Sequence, residues 1–315
     1  MMTFLGLDVS RDVLDLHVRP TGQVGRFSNT PDGHRQLLAA LPPRETIERI
    51  VLEATGGLEG PVAATLAAAG YPVVVVNPRQ VRDFAKAAGQ LAKTDALDAA
   101  VLAHFADALR PELRPLPPAD LQEFRELLDR REQLLQNRTA ESNRLVATLP
   151  KVIRTDLEAH LAWLEKHILA IEAKLNQRIA ANLHWKATEE LLRSIPGLGP
   201  QTARMLIGHL PELGRLDRRQ LASLVGLAPM NCDSGKSRGV RRIVGGRAAV
   251  RKSLYMAAFA STRHNPVLAA FYVKLRRQGK QAKVAFIACA RKLLSIANAV
   301  IRTKTPWRQP PLEIS

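Results

Sequence analysis

The sequence predicts an α/β domain at the N-terminus, then a long helical pair and a mainly α-helical C-terminal domain. Residues 1–112 begin with three short strand patterns and continue with alternating helix and strand patterns, which is typical of a mixed sheet covered by helices. Residues 113–186 carry leucine and isoleucine three or four positions apart, which indicates amphipathic helices. The chain has 315 residues, of which 46% are hydrophobic and 4% aromatic, so we expect two or three domains with aliphatic cores.

Short apolar runs bounded by Gly, Pro and Asn mark the strands of the first domain. They predict strands at residues 3–9, 12–19, 24–29, 49–53 and 71–76, of which the first three form a meander. Helical patterns lie at residues 31–41, 59–69, 78–88 and 94–109. The first helix begins with Thr30 as N-cap and Pro31 at the first helical position. The uninterrupted valines at 73–76 predict a central strand, because a strand covered on both faces is apolar throughout.

A proline-rich hinge at residues 113–118 precedes the helical pair. Leucine-rich patterns predict helices at about 119–149 and 154–183 with Pro150 between them, and therefore an antiparallel hairpin or coiled-coil arm. A spacer or oligomerisation arm without a chemical site is the competing interpretation. The predicted domains are residues 1–112, 113–186 and 187–305, followed by a tail at 306–315.

The positive charge is concentrated in the last third of the chain. The formal net charge is +17 at pH 7, and residues 187–315 carry 23 basic and 6 acidic side chains, compared with 11 and 13 in residues 1–112 and 12 and 10 in residues 113–186. A basic region of this size predicts a polyanionic partner. Nucleic acid is favoured over an anionic membrane, because membrane-surface helices usually carry bulky aromatic side chains.

Cysteine usage and hydropathy disfavour other classes of protein. Only Cys232 and Cys289 are present, without metal-type spacing, so we expect no zinc site and no disulfide framework. The N-terminus reads as a strand and not as a secretory signal, and no apolar run approaches the length of a membrane span. These features predict a cytoplasmic protein without a membrane partner.

Four carboxylates are placed where a metal ion would hold them together. Asp8 and Glu53 each close an apolar strand, and Asp95 and Asp98 lie three residues apart on the first turn of one helix. If the two strands are neighbours, their carboxylates meet at one edge of the sheet and repel one another unless a cation lies among them. Oxygen ligands favour Mg²⁺. Each carboxylate alone would also suit a helix cap or a solvated surface, but this placement and strand order resemble the RNase H-like, RuvC-type nuclease fold.

The run Ile-Pro-Gly-Leu-Gly at residues 195–199 lies between two helical patterns. It resembles the loop of helix-hairpin-helix modules, in which glycine backbone N–H groups bind a phosphate without reading sequence. Gly197 and Gly199 are therefore candidate nucleic-acid-binding residues. A simple Pro-Gly turn between two packed helices is the alternative.

Ser234 lies between Asp233 and Gly235 in a loop surrounded by cations, which are Lys236, Arg238, Arg241, Arg242, Arg247 and Arg251. A serine nucleophile needs its proton removed and the charge of the phosphate balanced, and the cations supply the second. No histidine is near, which disfavours a Ser-His-Asp hydrolase. Mg²⁺ held by the N-terminal carboxylates would assist the hydroxyl, provided that the two domains meet within one chain or between chains. The alternatives are a phosphate-binding turn, or Cys232 or Tyr255 as nucleophile.

Several motifs, in order along residues 3–260, resemble the IS110-family transposases, which include those called bridge-RNA-guided recombinases. They are Gly6–Ser10, Leu52–Gly56, Lys93–Ala99, Ile195–Gly199, Gly226–Pro229, Asp233–Gly235 and the run from Gly245 to Ala258. The resemblance implies a RuvC-like DEDD domain, a coiled-coil arm, and a transposase domain whose Ser234 forms a covalent phosphoserine link to DNA. It further implies that Asp8, Glu53, Asp95 and Asp98 bind Mg²⁺. The implied partners are donor and target DNA, a structured non-coding guide RNA, and further copies in a dimer or tetramer associated with the bacterial nucleoid.

The leading hypothesis from the sequence is thus an Mg²⁺-dependent DNA recombinase or transposase that cuts and rejoins strands through Ser234. The first alternative is a Holliday-junction-type nuclease, in which the carboxylates direct water to the phosphate and Ser234 only binds it. A nucleic-acid-binding scaffold with structural carboxylates is a third interpretation.

Overall fold

The computed structural model describes residues 2–90, 95–113, 115–147, 150–231, 239 and 241–309, except for the side chains of residues 95–97. These residues form two compact units, Met1–Pro117 and Pro118–Ser315. We call them the N-terminal unit and the C-terminal unit. The finer division of the second part into an arm, a domain and a tail stays a prediction.

The described part of the N-terminal unit contains a five-stranded mixed sheet. Its strands are β1 (Thr3–Val9), β2 (Val13–Arg19), β3 (Val24–Ser28), β4 (Ile47–Glu53) and β5 (Val73–Val76). The spatial order is β3-β2-β1-β4-β5. The first three strands pair antiparallel, whereas β1 pairs with β4 and β4 with β5 in parallel. The predicted meander and mixed sheet are therefore confirmed.

In the described residues of this unit, four α-helices cover the two faces of the sheet. They are α1 (Pro31–Ala40), α2 (Gly60–Ala68), α3 (Pro78–Ala87) and α4 (Asp95–Leu109). The Thr30 side chain accepts a hydrogen bond from the backbone N–H of Gly33 at 3.2 Å, which confirms the predicted cap of α1. Residues of α1 and α2 pack on one face of the sheet, in a core that contains Leu5, Leu7 and Leu52. Residues of α3 and α4 pack on the other face.

The prediction that the valine-rich strand is central was wrong. β5 lies at an edge of the sheet, beside β4 alone. Its side chains are nevertheless buried on both faces, because Val73 packs in the core under α1 and α2, and Val74 and Val76 pack with residues of α3 and α4. A continuous apolar pattern reports burial on two faces, and here helices provide that burial at an edge position.

The C-terminal unit begins with two long helices, α5 (Ala119–Val146) and α6 (Lys151–Ala181). They run antiparallel, since the ion pairs Arg131–Glu172 (2.6 Å) and Arg178–Glu123 join positions that advance along one helix and recede along the other. Leu134, packed with residues of α6, forms a small separate core in the distal part of the pair. The predicted antiparallel helical pair is confirmed, and supercoiling into a coiled coil stays a prediction.

Six further helices lie in the described part of this unit. They are α7 (Leu183–Arg193), α8 (Pro200–His209), α9 (Arg218–Val225), α10 (Ala248–His264), α11 (Pro266–Arg277) and α12 (Ala282–Thr303). They share one hydrophobic core with Phe124 and Leu128 of α5 and Leu175 and Ile179 of α6. The basal half of the long helical pair is therefore part of this core.

Helix α12 is long and apolar enough to cross a membrane, which corrects the prediction that no run approaches that length. Among the described residues it is the one helix that meets this criterion. Its buried side chains, which include Cys289, Leu293 and Leu294, lie in the core of the C-terminal unit. A central core helix meets the same criterion of length and composition, because it must be apolar on most of its surface.

Candidate active site and nucleic-acid interface

Asp8 and Glu53 lie opposite each other on adjacent parallel strands. The register of β1 and β4 places Leu7 opposite Leu52, and the two carboxylates are the next residue of each strand. Leu7 and Leu52 belong to the core under α1 and α2, so the alternation of side chains turns Asp8 and Glu53 to the opposite face, which α3 and α4 cover. Both side chains are half-buried. The predicted meeting of these two carboxylates at one end of the sheet is thus supported by the strand register.

Helix α4 rests directly on the backbone of β1 at Gly6. A Cβ atom on Gly6 would lie 2.1 Å from the carbonyl oxygen of Ala99 and 2.3 Å from the backbone nitrogen of Ala103. These separations are far shorter than van der Waals contact, so only glycine permits this approach of helix to strand. The contact places the N-terminal part of α4 over the strand that carries Asp8.

The direction of α4 brings its first turn towards the carboxylate end of β1. The Arg110 guanidinium, just beyond the C-terminus of α4, lies 5.4 Å from the ring centroid of Phe4 near the start of β1. Helix α4 therefore runs antiparallel to β1, and Asp98 lies at the same end of the sheet as Asp8 and Glu53. Asp95 begins the helix, and its side chain lies outside the described part of the structure.

Another carboxylate, which sequence reasoning missed, lies on the neighbouring strand β2. Asp15 of β2 is the cross-strand partner of Asp8, so both side chains point to the face covered by α4. The Asp15 carboxylate lies 3.6 Å from the Nε atom of Arg26 on β3, and 15% of its side chain is exposed. The alternation of polar and apolar residues along β2 carried this signal.

These carboxylates suit a hard divalent cation because all their donor atoms are oxygen. Mg²⁺ is commonly bound by one or two carboxylates together with substrate phosphate, and Asp8 and Glu53 provide such a pair. Among the described side chains, no group of three or more His, Cys, Asp or Glu is close enough to hold a metal ion. The Asp95 side chain lies outside the described residues. The predicted four-residue Mg²⁺ site therefore stays a prediction.

The two glycines of the predicted phosphate-binding loop have different surroundings. Gly197 has φ +90°, and a Cβ atom on it would lie 2.3 Å from Oγ and 2.5 Å from Cα of Ser261 in α10. Gly199 is the exposed N-cap of α8, and nothing lies within 4 Å of its Cβ position. The predicted pair of helices around this turn is confirmed. Gly199 is the glycine of the pair that is open to a partner, whereas Gly197 is needed for packing.

The serine loop, by which we mean residues 232–240, lies outside the described residues except for Gly239. The proposed roles of Ser234, Lys236 and Arg238 concern this segment and stay predictions. Its two ends are described, because strands β6 (Pro229–Met230) and β7 (Arg242–Ile243) pair antiparallel, with Met230 opposite Arg242. The described residues before and after the serine loop therefore lie side by side in this short ladder, which the sequence did not predict.

Close backbone contacts hold the segments beside this ladder together. Gly226, the left-handed C-cap of α9 with φ +75°, would carry a Cβ atom only 2.2 Å from the carbonyl oxygen of Gly245. A Cβ atom on Gly246 would lie 2.3 Å from the backbone nitrogen of Gly226. The turn after α9 and the segment after β7 thus touch through their main chains, and the glycines in both segments were the signal for this contact.

Two of the predicted nucleic-acid-binding arginines make internal contacts at the same place. Arg247 forms a bidentate ion pair with Glu212, in which each N···O distance is 2.6 Å. It also donates a hydrogen bond to the carbonyl oxygen of His209 at 2.8 Å. Arg251 donates to the carbonyl oxygens of Val225 at 3.1 Å and Gly245 at 2.5 Å. These two side chains therefore join the ends of α8 and α9 to the segment that follows β7.

Arg241 and Arg242, by contrast, are exposed beside the ladder. Among the described residues, neither side chain has an ion pair or hydrogen bond to another side chain. They are the described members of the predicted cationic set whose charge faces solvent at the root of the serine loop.

The two other nucleophile candidates differ in how much the structure describes. Tyr255 on α10 is half-buried, with its ring edge against Phe286 at 6.0 Å between centroids. Cys289 is buried in α12, and burial raises the pKa of its thiol to about 11, which keeps it protonated and unreactive. Cys232 lies in the serine loop, outside the described residues.

Comparisons with known proteins decide the family. A model of the DEDD transposase of IS110 matches residues 5–153, and the model of the transposase IS116/IS110/IS902 family matches residues 189–273. The chain belongs to the IS110 family of transposases. The first match covers Asp8 and Glu53, and the second covers the glycine turn and the serine loop. The family confirms the resemblance drawn from the motifs, and it makes the chain an enzyme of DNA transposition that binds DNA.

Curated relatives agree with this membership. The pilin gene-inverting protein of Moraxella bovis is 28% identical over 319 residues, which cover 97% of each chain. A 44.8 kDa protein of the insertion element IS116 from Streptomyces clavuligerus is 25% identical over 350 residues, covering 87% of each chain. This IS110-family transposase therefore matches both relatives over most of its length.

Proposed function

We propose that this IS110-family transposase cuts and rejoins DNA through Ser234, with Mg²⁺ held by Asp8, Glu53, Asp95 and Asp98. The observation that carries the proposal is the pairing of Asp8 with Glu53 at the ends of adjacent parallel strands, with the first turn of α4 at the same end. The strand order β3-β2-β1-β4-β5 supports an RNase H-like, RuvC-type sheet for this unit. When bound, the Mg²⁺ ion would neutralise charge on the phosphate oxygens.

The proposed reaction is a transesterification that needs no water. The Ser234 Oγ atom forms a bond to the phosphorus of a DNA phosphodiester while the bond from phosphorus to one sugar oxygen breaks. The proton of the serine hydroxyl ends on the leaving sugar oxygen. A hydroxyl of another strand then attacks the phosphoserine and restores the serine, so the number of phosphodiester bonds is conserved. Exposed Arg241 and Arg242 stand at the root of this loop, where cations would stabilise the phosphate.

The name of one relative fits a reaction that rejoins what it cuts. The Moraxella bovis protein is named for inverting a pilin gene, and it matches this chain over 97% of its length. Inversion of a DNA segment requires that every cut strand be joined again. A covalent protein–DNA link preserves the phosphodiester energy for that second step.

A guide RNA and an oligomeric state belong to the same proposal. The excess of 23 basic over 6 acidic side chains in residues 187–315 supports binding of a second nucleic acid besides DNA. The helical pair of α5 and α6 extends beyond the main core and offers a surface for further copies in a dimer or tetramer. Purification without nuclease, followed by RNA extraction and light scattering of the complex, tests both points.

Substitution of the proposed nucleophile tests the chemistry. Ser234→Ala is expected to abolish both strand exchange and the covalent adduct, which is seen as a labelled DNA band that migrates with protein on a denaturing gel. Ser237→Ala in the same loop is the matched control and is expected to retain the adduct. An adduct that persists in Ser234→Ala would contradict the proposed nucleophile.

The Holliday-junction-type nuclease remains the second candidate, supported by the same carboxylate pair. It predicts Mg²⁺-dependent cutting of branched DNA in both the wild type and Ser234→Ala, with free ends and no adduct. The denaturing gel therefore separates the two functions in one experiment.

A further inference from the structure

A cationic cleft lies among three helices of the C-terminal unit. It has a volume of about 550 Å³ and is bordered by helices α9, α11 and α12. Its lining includes Arg218, Arg219, Phe271, Arg291, Lys292 and Ser295. Four of these six residues are basic, and none of them belongs to the cationic set that the sequence analysis assigned to nucleic acid.

Unlike Arg247, the four cleft cations form no ion pair with a carboxylate of the described residues. Within the described part of the chain, no acidic side chain lies within 4.0 Å of Arg218, Arg219, Arg291 or Lys292. The neighbouring Asp217 carboxylate instead accepts hydrogen bonds from the backbone N–H groups of Arg219 (2.6 Å) and Gln220 (2.9 Å), as the cap of α9. Four positive charges therefore face one cleft, with one nearby carboxylate committed to the helix.

Three side chains of α12 share one face of the helix and form the floor of the cleft. Arg291, Lys292 and Ser295 are spaced as helical neighbours, and Ser295 donates a hydrogen bond to the carbonyl oxygen of Arg291 at 3.0 Å. The Lys292 ammonium lies 4.6 Å from the ring centroid of Phe271 on α11, which holds it in place by a cation–π interaction. Like charges held together in this way raise the electrostatic energy of the free protein, so an anion that occupies the cleft lowers it.

We infer that this cleft binds the phosphodiester backbone of a nucleic acid as a second contact, through residues other than those of the serine loop. Four basic side chains on three helices suit several phosphates along a strand better than one small anion. The aromatic ring and aliphatic lysine stem between them suit the apolar face of a sugar or base. The inference depends on the family's action on DNA and is independent of the role of Ser234.

The test measures binding of the full-length protein to a fluorescent DNA duplex and to a fluorescent RNA hairpin, each over a series of salt concentrations. Arg218→Gln combined with Arg291→Gln removes one charge from each side of the cleft. Affinity is expected to fall by about 10-fold or more, and the slope of log affinity against log salt to decrease by about 2, because each lost phosphate contact removes about 0.9 from it. The matched control is Arg130→Gln combined with Lys166→Gln, two exposed residues on the helical pair.

Each outcome separates one case from another. A loss with DNA alone, with RNA alone, or with both supports the cleft and identifies the nucleic acid that it binds. Affinity and salt slope equal to those of the control pair with both probes would overturn the inference. Arg219→Gln combined with Lys292→Gln provides an independent second variant. The adduct assay with Ser234→Ala uses a protein whose cleft is intact. Failure of the cleft and failure of the proposed chemistry are therefore distinguishable.

Discussion

The two units use charged residues in contrasting ways. In the N-terminal unit, Asp8 and Glu53 occupy positions set by the register of two parallel strands, and few other residues are needed to place them. In the C-terminal unit, arginines of similar appearance in the sequence have two fates: Arg247 is bound to Glu212, while Arg241 faces solvent. The comparison teaches that a charge count predicts a partner for a region, whereas only the contacts show which charges are available to that partner.

The largest effect is expected at the carboxylates of the N-terminal unit. If the proposed Mg²⁺ site is correct, Asp8→Asn and Glu53→Gln should each lower DNA strand exchange by about 1,000-fold or more, because the bound ion would contribute several kcal/mol of charge stabilisation. Strand exchange at fixed Mg²⁺ concentration is the measurement. Asp83→Asn, an exposed residue paired with Arg79 on α3, is the control and should retain activity. Wild-type activity in both ligand variants would show that the register has a structural role only.

The glycine turn tests whether a predicted binding residue serves the fold. Gly197→Ala should lower the free energy of unfolding by about 3 kcal/mol, since the new methyl group meets Ser261 and the residue has a positive φ. Gly199→Ala, at a position with open space and an ordinary φ, should change it by less than about 0.5 kcal/mol. Urea titration followed by circular dichroism measures both. Equal losses in the two variants would contradict the distinction drawn between these glycines.

Arginine-to-lysine changes sharpen the contrast within the C-terminal unit. Arg247→Lys retains the charge but loses the two-pronged ion pair with Glu212, so the free energy of unfolding should fall by about 1–3 kcal/mol. Arg241→Lys should be neutral within about 0.5 kcal/mol, because the side chain is exposed. When the two residues are instead changed to Gln, the Arg241 variant should lose more nucleic-acid affinity than the Arg247 variant, provided that the Arg247 variant is folded. If Arg241→Lys destabilises the protein more than Arg247→Lys does, the division of these cations is wrong.

The smallest effect concerns the carboxylate that caps α9. Backbone hydrogen bonds from Gln220 and Arg219 lower the pKa of Asp217 below its ordinary value of 3.8. A carboxyl group with a lowered pKa in the folded state stabilises the protein above the unfolded-state pKa, and this contribution is lost as the pH falls through the lowered value. Asp217→Asn retains a capping side chain without the charge. The midpoint of thermal unfolding should therefore decrease less on acidification in Asp217→Asn than in the wild type, and parallel decreases would exclude Asp217 as the cause.

Features set by local sequence could be predicted. The strand patterns, the Thr30 cap and the carboxylates at the ends of β1 and β4 depend on neighbours a few residues away, and the structure agrees with each of them. Family membership also followed from short motifs, because those motifs combine spacing with residue type.

Features set by distant partners could not be predicted. The contact of Gly197 with Ser261 and the ion pair of Arg247 with Glu212 join residues far apart in the sequence, and no local pattern shows such partners. The edge position of β5 was missed because helices bury it as thoroughly as neighbouring strands would. The short β6–β7 ladder was missed because two residues per strand leave no alternation to detect.

The contact at Gly6 makes the carboxylate end of the sheet tolerant of substitutions in the surrounding core. Helix α4 touches β1 through backbone atoms, so van der Waals contact between main chains, and not the size of a core side chain, sets the separation of helix and strand. Exchange of one aliphatic core residue for another would therefore leave the spacing between Asp98 and Asp8 nearly unchanged. A single methyl group at residue 6 would instead push the helix away from the strand and move Asp98 with it. Gly6 thus sets the distance between helix and strand in this part of the molecule, and substitutions elsewhere in the unit leave that distance unchanged.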